Sequence, residues 1–133
     1  MKFLVLLYMN AERMSSLSPR EEHELQVTSA RSDEALMRAG KLLVADALAE
    51  PRTAACVRKR VGAVVVTDGP FIETKEQLGG FMVLDVSDRE EAIRLVSSDD
   101  DRFLDLGTTF EIRPIHDYRA QLGPERTTGR SGS

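Results

Sequence analysis

Lys2-Phe3-Leu4-Val5-Leu6-Leu7-Tyr8-Met9 decides the fold of this chain. Successive side chains on a strand point to opposite faces, and this segment is apolar at odd and even positions alike. Such a strand needs cover on both sides. Val64-Val65-Val66 and Phe81-Met82-Val83-Leu84 share the pattern. The rest of the chain supplies two helices that can form a layer. The first opens at Ser18-Pro19-Arg20-Glu21, where Ser18 caps, Pro19 takes the first helical position and Glu21 completes a capping box; it runs to Arg38 or Ala39, with Gly40 just past its end. The second follows Ser87 or Asp88 and turns Ala92, Ile93 and Val96 inward. Two helices cover one face of a sheet. The economical cover for the other is the same face of a second copy, a twofold homodimer.

Working outward, residues 10–17 read as a loop, residues 42–46 as a short second strand, and residues 54–59 and 63–67 as a hairpin around Arg60-Val61-Gly62. Residues 80–86 make a further strand. Residues 109–115 make the last, placed at a sheet edge by Pro114, which has no N–H to give a ladder. Ser98-Asp99-Asp100-Asp101 closes the second helix. The order β-α-β, hairpin, β-α-β is an α+β fold of the split βαβ, ferredoxin-like type, with an antiparallel sheet and two main helices. One domain fills residues 1–116, and residues 117–133 form a polar, Gly-containing tail expected to be flexible.

On the first helix, Leu25, Ala35, Leu36 and Ala39 fall broadly on one side. Ser29 and Ser32 share that stripe, which makes it less apolar than a core-facing stripe usually is. His23, Val27, Ala30 and Glu34 lie roughly opposite.

Composition narrows the function. The 133 residues carry a formal net charge of -4, which disfavours a surface built to neutralise phosphates, so no nucleic-acid partner is expected. A single cysteine, Cys56, forms no intrachain disulfide and reads as a buried, inert thiol in a reducing cytoplasm. The apolar N-terminus has one Lys and no small-residue cleavage site before Asn10-Ala11-Glu12-Arg13, unlike a signal peptide, and no run reaches the ~20 apolar residues of a membrane helix. A cytoplasmic protein without a membrane partner is expected. Two histidines and one cysteine are too few for a structural zinc site, Asp99-Asp100-Asp101 with Asp105 lacks calcium-loop spacing, and Gly79-Gly80 precedes a strand, unlike a phosphate loop; no metal and no cofactor is expected.

Asp68-Gly69-Pro70-Phe71-Ile72-Glu73-Thr74-Lys75-Glu76-Gln77-Leu78-Gly79-Gly80-Phe81 exceeds the needs of a strand connection. Asp68-Gly69 is a turn, Pro70 ends pairing, Thr74 to Gln77 has capping-box spacing for one helical turn, and Gly79-Gly80 re-enters the sheet through a bulge. As a plain connection these features suffice. The charges and amides from Glu73 to Gln77 also suit a functional loop mounted on a rigid sheet.

This segment, with the Met-Lys-Phe-Leu-Val-Leu-Leu-Tyr opening and Glu111-Ile112-Arg113-Pro114-Ile115, resembles the DGPF branch of the YCII-related proteins. The resemblance covers nearly the whole chain up to residue 115. It implies a ferredoxin-like fold of the dimeric α+β barrel type. Most members are uncharacterised; a few relatives act on small aromatic or lactone-type compounds as dehydrochlorinases or isomerases, and a His-Asp pair is proposed as catalytic in the wider family. DGPF members are often encoded beside extracytoplasmic-function sigma factors. By position, His23 matches the first-helix histidine. Asp33 lies ten residues on, roughly 80° around the helix axis, so Asp46 at the end of the second strand is the better partner.

Three readings follow. In the first the chain is a cofactor-independent lyase or isomerase, its pocket between first helix, sheet and the Asp68–Gln77 loop. His23 is the base, Asp46 orients it, and Asp68, Glu73, Lys75 and Arg113 bind a polar small-molecule substrate. In the second it is a non-catalytic ligand-binding or regulatory partner module, and in the third the loop serves only to build the dimer.

Overall fold

The computed structural model describes residues 1–69, 75–98 and 102–122. The chain runs β1 (Lys2–Asn10), α1 (Ala11–Ser15), α2 (Pro19–Arg38), β2 (Leu42–Ala47), β3 (Ala55–Arg60), β4 (Ala63–Asp68), β5 (Glu76–Asp85), α3 (Arg89–Val96), α4 (Arg102–Asp105) and β6 (Thr109–Pro114). Short 3-10 turns lie at Pro51–Thr53 and Tyr118–Gln121. Four strands form one antiparallel sheet in the order β2-β5-β1-β6, while β3 and β4 form a separate two-stranded ribbon. Without the ribbon this is the ferredoxin-like α+β order. β6 is an edge strand, and Pro114 sits at its end.

α2 starts as its sequence requires. The Ser18 hydroxyl accepts the Glu21 N–H at 3.1 Å, and the Glu21 carboxylate accepts the Ser18 N–H at 3.0 Å. It ends at Arg38 with Ala39 as its C-cap, after which the Gly40 N–H donates to the Met37 carbonyl and the Lys41 N–H to that of Leu36, a Schellman closure. Asp88 caps α3 by accepting the Glu91 N–H at 2.9 Å.

Two local expectations change. Within residues 10–17 the chain forms α1, because the Asn10 side chain accepts the Arg13 N–H and starts a turn. Glu76 and Gln77 are strand, not a helical turn: β1 extends far enough to pair Asn10 with Glu76 and Met9 with Gln77. A ladder partner satisfies more backbone than one local cap. Thr74 and Asp99-Asp100-Asp101 lie outside the described residues, as do Pro70 to Glu73 and the tail from residue 123.

The sheet has two unlike faces. Phe3, Val5 and Leu7 are buried beneath the helices with Leu42, Leu84, Val86, Ala92 and Val96, and Met82, Phe110 and Ile112 pack against this core. The alternate residues form the open face. Across it run Val44, Val83, Leu4 and Arg113 in one row and Asp46, Phe81, Leu6 and Glu111 in the next. The centre of that face is apolar and half-buried, with Asp46, Glu111 and Arg113 on its edge strands and the pair Lys2 and Asp85 at one end of its central strands.

Candidate functional site

α2 is twenty residues long, yet Leu25 is its one buried side chain. The helix therefore stands off the sheet, and a cavity of about 560 Å3 lies beneath it. Leu25, Ser29, Ser32, Asp33 and Leu36 form the helical wall. Leu7 and Met9 of β1, Met82 of β5 and Phe110 of β6 form the floor, with Ala45 and Ala47 of β2 beside them. Leu95, Val96 and Ser98 close one end with Arg102 and Phe103 of α4.

Small residues create this space. Ser29 and Ser32 stand on the inner stripe, where a helix docked on a sheet normally carries large apolar groups. Gly79 and Gly80 lie in the cavity lining and carry no side chain. Neighbours approach both closely: a Cβ on Gly79 would meet the flexible Met9 side chain, its Sδ at 2.6 Å, and one on Gly80 would sit 3.2 Å from the Asp46 carbonyl oxygen, a backbone atom. The bulge expected here is present, with pairing shifting between Leu7↔Gly80 and Tyr8↔Leu78. α4 is terminated by a second Schellman closure. The Gly107 N–H donates to Leu104 and the Thr108 N–H to Phe103, which fixes Phe103 in the end wall.

The lining is mostly apolar; its polar side chains are Gln26, Thr28, Ser29, Ser32 and the half-buried Asp33 on α2, with Asp46, Ser98 and Arg102 around them. That composition suits a small molecule with an apolar body and one or two polar groups. Titration is shifted elsewhere. The Ser18 N–H and hydroxyl hold Glu21 below the usual carboxylate value, the Arg52 guanidinium does so for Glu50, and Lys41 with the Ser87 N–H does so for Glu91. None of these three lines the cavity. Among the described residues no group of three or more His, Cys, Asp or Glu is placed to hold a metal ion.

The residues singled out from sequence fall in several places. Asp46 lines the cavity rim, exposed on the outer strand β2. His23 is exposed, stands roughly 200° around the helix from Leu25, and is not part of the lining. No hydrogen bond joins His23 to Asp46 among the described residues. Asp68 is exposed at the end of β4, opposite Ala55. Lys75 is exposed, and its carbonyl accepts the Ala11 N–H at 3.1 Å, tying the loop's exit to the end of β1. Arg113 is exposed on the open face, on the opposite edge strand from Asp46 and so about 14 Å across the sheet. Glu73 lies outside the described residues. Cys56 is half-buried, its thiol donating to the Gly69 carbonyl at 3.4 Å. Sequence reasoning weighed Asp33 only as a partner for His23, and did not consider Arg102, Phe103 or Phe110. The signal that could have found the cavity was Ser29 and Ser32 in the Leu25 stripe.

The family model for the YCII-related domain matches residues 1–119. An uncharacterized protein of Rhizobium meliloti (strain 1021) is 31% identical over 119 residues, spanning 90% of this chain and 95% of that one. No helix among the described residues is long and apolar enough to cross a membrane. With the matched span running through the whole sheet and both helices, the chain belongs to the YCII-related family.

Proposed function

We propose that this chain binds a small, largely apolar molecule in the cavity under α2 and converts it without a cofactor, as a lyase or isomerase. The observation that carries the reading is the cavity itself: about 560 Å3, apolar in its floor, with Asp33 and Arg102 on its walls. Pockets of this size and polarity are the usual site of small-molecule binding. A carboxylate and a guanidinium are a base and an anion-stabilising group of the kind proton abstraction beside a carbonyl requires. Asp33 is the base in this reading; His23 held by Asp46 is the rival. Lys75 is fastened beside β1, two residues beyond the lining residue Met9, and Asp68, Glu73 and Lys75 would meet the substrate's polar end. The protein works as a homodimer through the open face, because Leu4, Leu6, Val44, Phe81 and Val83 form an apolar centre that no described element covers.

The test is a thermal-shift screen of aromatic acids and lactones, followed by turnover of the hits watched by NMR. Asp33→Asn is expected to lower turnover by about a hundredfold, the range for loss of a general base, with His23→Ala unchanged. The reverse pattern restores the His23–Asp46 pair. Binding with no turnover in any condition favours the second reading, a ligand-binding module coupled to a regulatory partner such as an extracytoplasmic-function sigma factor, for which the DGPF resemblance is the support.

A further inference from the structure

Gly79 is a glycine that the backbone does not ask for. The left-handed glycines among the described residues are Gly40, Gly62, Gly69 and Gly107, and Gly79 is not one of them. It is the extra residue of the β5 bulge, passed over where pairing shifts from Leu7↔Gly80 to Tyr8↔Leu78. A bulge residue outside the left-handed region need not be glycine. What a side chain at this position meets is Met9. A Cβ there would lie 2.6 Å from Met9 Sδ, 3.2 Å from Cγ and 3.3 Å from Cε. Atoms of this kind normally approach to about 3.5–4.0 Å. The whole thioether therefore lies flat in the notch left by the missing Cβ. Both residues line the cavity, and Met9 is half-buried.

We infer, resting on the binding role proposed for this cavity, that Gly79 and Met9 together set the bulk of the ligand it admits. The notch keeps the Met9 thioether down on the sheet; with the notch filled, Met9 lifts into the ligand's space. Methionine suits the task, because its unbranched, flexible chain takes either position with little strain and its sulfur makes a soft contact for an apolar guest. Its free side is the cavity that it lines, so Cγ, Sδ and Cε have that space to enter. One methylene more or less in an apolar pocket changes binding by about tenfold or more. A raised Met9 thus rejects bulky apolar bodies first, while small ones still find room. The ligands sorted in this way are apolar molecules with one acidic group, which Arg102 on the same lining can hold.

Isothermal titration with para-alkylbenzoates, from methyl to hexyl, tests this on the full chain, with thermal melts to follow folding. Gly79→Ala is expected to melt at or slightly above the wild-type temperature, because alanine at a compatible backbone position restricts the unfolded chain. It is expected to bind the hexyl member about tenfold more weakly than wild type and the methyl member within about twofold. Met9→Ala is expected to bind the hexyl member more tightly than wild type, and adding it to Gly79→Ala is expected to restore hexyl binding. Without any ligand, NMR of methyl-labelled methionine is expected to show the Met9 methyl moving in Gly79→Ala and gaining contacts to α2. An equal loss across the series, no restoration in the double variant, an unmoved Met9 methyl, or a Gly79→Ala protein that melts well below wild type overturns the Gly79–Met9 pair as the selector and leaves the cavity as a binding site. No binding of any member to wild type overturns both.

Discussion

Ser29→Leu probes whether the space beneath α2 is a genuine cavity. Ser29 faces inward from the middle of the helix, half-buried, above a floor that includes Leu7 and Met82. A leucine there projects into about 560 Å3 of space. Complete burial of a leucine side chain stabilises by about 1.5–3 kcal/mol relative to exposure. The cavity has a mouth, so roughly half of that gain is realised, and leucine's better helix propensity adds a few tenths. The expected net effect is about +1 kcal/mol, which for a domain of this size raises Tm by about 4 °C. Were the region already packed, the same substitution would overfill it and cost about 1–3 kcal/mol. The two outcomes have opposite signs. Differential scanning calorimetry on both proteins reads the sign directly, and titration with any ligand from the screen reads the site, where affinity is expected to fall at least tenfold, about 1.4 kcal/mol. A lowered Tm, or a raised Tm with unchanged ligand affinity, refutes the assignment of this space as the binding site.

Glu91→Gln removes the partner of Lys41, whose ammonium lies 3.1 Å from the carboxylate and ties the end of α2 to α3. Because the folded carboxyl titrates below its ordinary value of 4.5, the stability it contributes is complete above that pH and fades as pH falls through the folded value. Urea midpoints of wild type and variant are therefore expected to differ at pH 7 and to converge in acid; a constant gap contradicts the assignment. Gly107→Ala places a Cβ in the left-handed region at φ 78 and 2.8 Å from the Arg13 guanidinium. The side chain can swing aside but the backbone cannot, so a loss of about 1–2 kcal/mol is expected in urea denaturation, and a neutral result would mean the closure of α4 is not fixed by this glycine.

How much of the fold the sequence showed depended on whether local chemistry agreed with distant pairing. Ser18, Pro19 and Glu21 state the start of α2 within a few residues and Gly40 its end, and all four do in the structure what their types suggest. Pro114 marks an edge because a missing N–H is intolerable in a central strand. The double-sided apolar pattern of β1 matches a central strand with one face buried under the helices and an apolar, half-buried face on the other side. Local chemistry lost at Glu76-Gln77, whose capping spacing is real but whose backbone had a better offer from Met9 and Asn10, some sixty-seven positions away. No window of a few residues contains that competitor.

The site was less legible for a related reason. Titratable residues attract attention because they carry chemistry, and His23 stands near the most strongly signposted helix start in the chain. A cavity, however, is made by what is missing. Serines at 29 and 32, alanines at 45 and 47, and glycines at 79 and 80 come from three elements. Each is unremarkable alone: serines are tolerated on helices, alanines on edge strands, glycines at bulges. Their convergence appears only after β2 is laid beside β5 and α2 is set across them. The weak apolar stripe of α2 was the trace left in the sequence, a helix whose inward face is too polar to be core and too apolar to be surface. A half-greasy stripe of this kind is what the wall of a binding cleft must be. It has to hold an apolar guest and remain soluble enough, when empty, not to collapse onto the sheet below.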